Sequence, residues 1–236
     1  MKSSIFILFL FLSFFRPDAD SVSFVYQSGA SGLTPYKGDS LINQILYNGR
    51  VWRNLYIRIE GDPFFQSNKF FPGTVEINDK TFTDIPLRYD IYNDQIQILT
   101  DKDLILQLNK EMVNSFITTS GETTGKFIKI EKSEKYPVSG YLNLLYAGDP
   151  SLLVKYRKEV DMSLSNKVYG TFFQMHRIYL LKDSVMYVVG GRRSFIKLLE
   201  DRKHEIRNFI RTNKLSIARK YPESFVPVLE FYDKSR

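Results

Sequence analysis

The chain contains no cysteine. That excludes a disulfide framework, a thiol nucleophile, thiolate metal sites and lipid attachment through an N-terminal cysteine. Histidine is nearly as scarce, with only His176 and His204, so a histidine-rich metal centre is also excluded and only carboxylate sites for calcium or magnesium stay open. After the first fifteen residues no hydrophobic run approaches the length of about 20 that a membrane-spanning helix needs. Ser120-Gly121 and Gly190-Gly191 supply glycine pairs without the flanking pattern of a P-loop or a dinucleotide fingerprint. No nucleophile motif accompanies His176, which sits between Met175 and Arg177 in an apolar stretch and reads as a core or sheet-face residue. The residues call for no cofactor and no metal.

The 236 residues that remain to be explained are 43% hydrophobic and 25% charged, an ordinary globular mixture long enough to bury its own core. The one excess is aromatic: 19 Phe and 15 Tyr, types that favour strands and binding surfaces. Stability must come from burial.

Lys2 precedes the apolar run Ile5 to Leu12, Phe14 and Phe15 follow, and Arg16, Pro17 and Asp18 end the run. This is the charged-then-apolar order of a secretory signal, too short for a comfortable span. We read residues 1–20 as a signal peptide with Ala19 near its end, and residues 21–40, rich in Gly and small polar types, as a flexible lead-in. The expected location is exported, periplasmic or extracellular, with no transmembrane span in the mature chain.

Residues 41–190 break into short Val-, Ile-, Tyr-, Phe- and Leu-rich segments divided by turn residues, the pattern of a mainly antiparallel β body. Leu55, Ile57 and Ile59 alternate with Tyr56 and Arg58, which predicts a strand with one buried face. Thr74–Ile77 and Thr81–Phe82 flank the turn Asn78-Asp79-Lys80, and Arg88–Tyr92 and Gln95–Leu99 flank Asn93-Asp94, giving two hairpins. Further strands are predicted at Leu104–Leu108, Gly125–Ile130, Gly140–Leu145, Leu152–Val160, Gly170–Leu181 and Met186–Val189. Some ten strands would twist into a sandwich or a barrel-like form. Residues 191–236 change period: Ser194 and Asp201 are positioned to cap two helices, Asn213 to end the second, and Ser224 to open a third carrying Phe225, Val228, Leu229 and Tyr232 on one face. The fold class is therefore α+β, a β body with a small C-terminal helical unit docked on it.

Leu46-Tyr47-Asn48-Gly49-Arg50, Gly73-Thr74-Val75 with Phe82, Pro86 to Gln95, Ser194 to Leu199, and Phe231-Tyr232-Asp233 together resemble a family of uncharacterised exported proteins from Bacteroidetes-type bacteria. The resemblance implies an envelope location and brings no catalytic or ligand residues with it.

Two groups of residues remain as candidate chemistry. Asp84, Asp90, Asn93 and Asp94 offer oxygen ligands without the spacing of a known calcium loop, and Asp90, Asp94 and Glu60 are the acids an exported carboxylate-dependent hydrolase would need to bring together. The plainer reading makes them turn formers. From Met186 onward, twelve Lys and Arg oppose six Asp and Glu, so the tail holds +6 of the chain's +7. Arg192, Arg193, Lys203, Arg207 and Arg211 are the candidate residues for an acidic partner: an envelope protein, anionic lipid or acidic glycan, with nucleic acid not expected outside the cell. The plainer alternative is a solvated helix face. The leading expectation is an envelope binding or scaffold protein without catalytic activity.

Overall fold

A computed structural model describes residues 33–35, 44–120, 123–162 and 169–234. The signal peptide, most of the lead-in and Gly121 lie outside the described residues. The ordered chain is one open, largely antiparallel sheet with three short helices at its C-terminal end.

Turn chemistry sets the first hairpins. Asn78 and Asp79 both take positive φ, 46° and 63°, the pair of left-handed conformations a two-residue turn requires. They join Phe71–Ile77 (β4) to Lys80–Asp90 (β5), on which Val75, Ile77, Phe82, Ile85 and Leu87 are buried. Asp94, with φ 56°, helps turn β5 into Gln95–Leu99 (β6). The remaining strands are Ile105–Leu108 (β7), Val113–Ser120 (β8), Thr123–Ile130 (β9), Gly140–Tyr146 (β10), Ser151–Asp161 (β11), Gly170–Lys182 (β12) and Val185–Val189 (β13). With the edge strand Gly49–Val51 (β2), the ladder runs β13-β12-β11-β10-β9-β8-β4-β5-β6-β7-β2. Leu33–Pro35 (β1), within the predicted lead-in, pairs in parallel with Thr81–Thr83, and Ile59–Glu60 (β3) pairs in parallel with Gly170–Thr171.

The sheet is strongly curled. β5 and β10 lie four steps apart in the ladder, about 19 Å in a flat sheet. Yet the Tyr89 ring of β5 sits 5.9 Å from Tyr141 of β10, and 5.1 and 5.0 Å from Phe116 and Phe127 of the strands between. Only a sheet rolled around its aromatic face allows this. Residues 52–58 then connect β2 at one edge to β3 beside β12 near the other, so those two positions are no more than about 29 Å apart, the reach of that length of chain.

Into the concave side pack Arg192–Leu198 (α1), Lys203–Thr212 (α2) and Val226–Lys234 (α3). Phe195, Leu199, Ile206, Ile210, Phe225, Val228, Leu229 and Tyr232 join Tyr156, Ile178, Leu180 and Val189 in one continuous core. Asn213 does end α2, whereas Asp201 lies in a 3-10 turn, Glu200–Arg202, ahead of it, and Ser224 in another, Pro222–Phe225, ahead of α3. A second, small cluster of Ile130, Leu142, Leu153, Tyr179 and Met186 forms on the opposite face.

One expectation is corrected. Residues 52–58 are not a strand, and Leu55 and Ile57 are 82% and 83% exposed rather than buried, because Tyr56 between them is the residue that turns inward to pack on Tyr92 and Phe172. Val113–Ser120, which was not predicted, is a central strand without a clean alternation, since Asn114 is an extra residue opposite the Glu76–Ile77 step of β4 and breaks the period of two.

Phe116 and Phe127 stack at 4.7 Å in the centre of the roll. Phe116→Ala is expected to lower unfolding free energy by about 4 kcal/mol, read by chemical denaturation, as the surrounding rings cannot close the void.

Candidate functional site

The five basic residues singled out above, Arg192, Arg193, Lys203, Arg207 and Arg211, lie along one groove of about 1130 Å³ formed by α1, α2 and the segment after α2. Helical geometry explains the grouping: Lys203, Arg207 and Arg211 recur every fourth residue and so stand one above another on α2. Lys197 of α1 and Lys214 complete the rim, and Ile196, Ile210 and Leu215 form the floor. Of seven Lys and Arg lining the groove, only Lys203 has a carboxylate within ion-pair distance among the described residues, Glu200 at 3.6 Å. Arg211 donates to the Asn208 side chain at 2.8 Å. Arg202 points away from the groove to Glu205 and the Tyr232 carbonyl.

Like charges at successive turns repel by a few tenths of a kcal/mol per pair. Arg192, Arg193, Lys197, Arg207, Arg211 and Lys214 are exposed, whereas Ile196 and Ile210 beneath them are buried. The groove can therefore hold a negatively charged chain through charge-assisted hydrogen bonds at the rim.

The acidic candidates are committed elsewhere. Asp90 is buried and caps its own turn: Oδ1 accepts the backbone N–H groups of Tyr92 and Asn93 at 3.0 and 2.9 Å, and Oδ2 accepts the Asn93 side-chain amide at 2.8 Å. Burial raises its pKa, partly opposed by those donors. Asp94 instead accepts hydrogen bonds from Lys155 at 2.6 Å, from Lys110 at 2.5 Å and from the Tyr89 hydroxyl. Burial works against its ionisation, but Lys155, Lys110 and Tyr89 outweigh it and hold the carboxyl below its usual range. Glu60 accepts from the Thr171 hydroxyl, and Asp84 occupies a left-handed position within β5 with φ 57°. These acids do not converge as a general acid and base, and the described residues contain no group of three or more His, Asp or Glu able to hold a metal. His176 bonds through Nε2 to the Arg219 carbonyl at 2.7 Å and fastens the segment before α3 to β12.

Sequence reasoning missed Arg88. It is 8% exposed on β5 with no carboxylate in ion-pair contact among the described residues, and its guanidinium carbon lies 3.8 Å from the Phe64 ring centre, 4.4 Å from Phe70 and 4.8 Å from Trp52. It donates to Gln97 at 2.9 Å and to the Asn68 carbonyl at 2.7 Å. Burial lowers its pKa to about 10, against the pull of Asp90 and Asp62. An arginine inside an alternating strand carries no signal of this, because the rings around it come from a distant loop.

Compared with protein-family models, curated proteins and solved structures, the chain matches none.

Replacing Asp94 by Asn leaves Lys155 and Lys110 side by side without their counter-charge and is expected to cost about 3 kcal/mol. Because the folded carboxyl is held below its unfolded value, the stability it contributes is present above the ordinary carboxylate range and is lost as pH falls through the lower folded value. Denaturation measured across the acid range should thus show a steep limb in the native chain and a flatter one in Asp94→Asn.

Proposed function

We propose that this is an exported, non-catalytic binding or scaffold protein of the bacterial cell envelope, whose α1–α2 groove takes an acidic partner. The observation that carries the reading is the set of basic side chains, Arg192, Arg193, Lys197, Arg207, Arg211 and Lys214, that meet no carboxylate among the described residues and rim one groove. Export rests on the N-terminal pattern of residues 1–20, and the envelope setting on the family resemblance. The rolled sheet, sandwich-like or barrel-like in outline, serves as a rigid base for the helices.

Among acidic partners, the groove favours a protein segment over a glycan. Leu215 is the half-buried apolar residue of the floor, and a segment with Asp or Glu flanking Leu or Phe meets it and the rim together, which a uniformly hydrophilic polyanion does not. The hydrolase alternative loses support from the positions of Asp90 and Asp94, whose oxygens are already occupied by turn N–H groups and by lysines.

The test uses three probes of defined chemistry: a Glu- and Leu-rich peptide, an acidic polysaccharide, and vesicles containing phosphatidylglycerol. Peptide binding that weakens at high salt, and falls about 30-fold in Arg207→Glu/Arg211→Glu, is the expected result. The same double variant should keep its unfolding free energy within about 1 kcal/mol, since both arginines are exposed. Affinity indifferent to the charge reversal would overturn the reading.

A further inference from the structure

The segment that was expected to be a strand carries a second surface, remote from the basic groove. Residues 50–58 read Arg-Val-Trp-Arg-Asn-Leu-Tyr-Ile-Arg, three arginines interleaved with apolar and aromatic residues and no acid. The segment is pinned rather than loose. Trp52 packs edge-on against Phe64 and its backbone N–H donates to the Ile105 carbonyl at 2.8 Å. Tyr56 packs on Tyr92 and Phe172 at 5.5 Å each, and its hydroxyl accepts from Asn93 at 2.7 Å. With Tyr56 held, Leu55 and Ile57 on either side of it have to project, and they are the two most exposed large apolar side chains of the described residues, at 82% and 83%.

Their surroundings are mixed, with the exposed Glu60 and Asp161 flanking Thr171 and a cationic, aromatic contact beside them. Arg58 stacks on Tyr169 at 5.1 Å and donates to its hydroxyl, and the Tyr169 N–H donates to the Arg58 carbonyl. Val51, Met162 and Tyr169 are themselves exposed. Arg50, Arg53 and Arg58 have no carboxylate in ion-pair distance among the described residues. The apolar side chains form a protrusion and not a recess. Two projecting residues are far short of the roughly 800 Å² per side that a stable protein pair buries. Projecting apolar side chains interleaved in sequence with arginine, beside tyrosine with its polar end, suit a lipid headgroup region, where the apolar side chains enter the acyl boundary and the guanidinium groups meet phosphates.

We propose that residues 50–58 dock this protein on an anionic lipid bilayer, with Leu55 and Ile57 inserted and Arg50, Arg53 and Arg58 on the headgroups. The geometry also orients the molecule. The tip adjoins the Thr171 end of β12, whereas the end of α1 and the turn after it attach at the other end, where Lys182 donates to the Leu198 carbonyl and to Asp201 at 3.2 Å each. Eleven residues along that strand separate the ends by about 36 Å. Docking by the tip leaves the basic groove facing away from the membrane.

The absence of cysteine lets a single dye report on one position. Leu55→Cys, labelled with an environment-sensitive fluorophore in the full chain, is mixed with vesicles of phosphatidylethanolamine and phosphatidylglycerol or of phosphatidylcholine alone; Tyr187→Cys on β13 is the control. The expected result is a blue shift at position 55 on the anionic vesicles alone and none at position 187. Arg53→Ala in the Leu55→Cys background should weaken the response about fivefold, the share of one cation near an anionic surface. Vesicle binding with position 55 still in water would overturn the proposal and assign the lipid to another surface. So would an equal shift on both vesicle types, or a concentration-dependent shift without vesicles, which would make the tip a contact between copies of the chain.

Discussion

One half-buried carboxylate joins parts of the sheet that the hydrogen-bond ladder alone does not bring together. Asp94 stands in the turn after β5, Lys110 in the turn before β8, and Lys155 in the middle of β11, so a single ion cluster ties strands that are several ladder steps apart. It requires close approach: at Gly140, whose φ is +94°, a Cβ would run into the Asp94 carboxylate, so no larger residue fits there without moving the charge. Above it, Tyr89 turns its hydroxyl to Asp94 and its ring to Phe116, Phe127 and Tyr141. The polar cluster and the aromatic core thus share one residue, and the curl of the sheet is set by both at once.

The outer side of the same strands is organised around the opposite charge. Arg88 follows Leu87 and precedes Tyr89, so its side chain leaves the core face and would meet solvent on a bare sheet. The loop that brings Trp52, Phe64 and Phe70 covers it, and cation–π contact takes the place of a carboxylate. Holding Trp52 there fixes the start of the 52–58 segment, and packing Tyr56 on Phe172 fixes its end. The exposure of Leu55 and Ile57 is a consequence of these two anchors.

The molecule is therefore polarised along β11 and β12. At one end α1 and α2 carry the basic groove; near the other Leu55 and Ile57 project between Arg53 and Arg58 in the chain.

Local chemistry settled by itself what could be read early. Asn78-Asp79 dictates a tight turn, the alternation of Gln95 to Ile98 dictates a strand, and the fourfold spacing of Lys203, Arg207 and Arg211 gathers charge on one helix face, because each depends only on residues within a few positions. Three things belonged to the tertiary structure alone. The fates of Asp90 and Asp94, four residues apart, diverge because one meets backbone N–H groups of its own turn and the other two lysines, one from the turn before β8 and one from β11. Val113–Ser120 is a strand because its neighbours on both sides pair with it, despite a broken period. Leu55 and Ile57 show the alternation of a buried face yet face outward, since periodicity records which residues share a side and only the packing of Tyr56 decides which side is in.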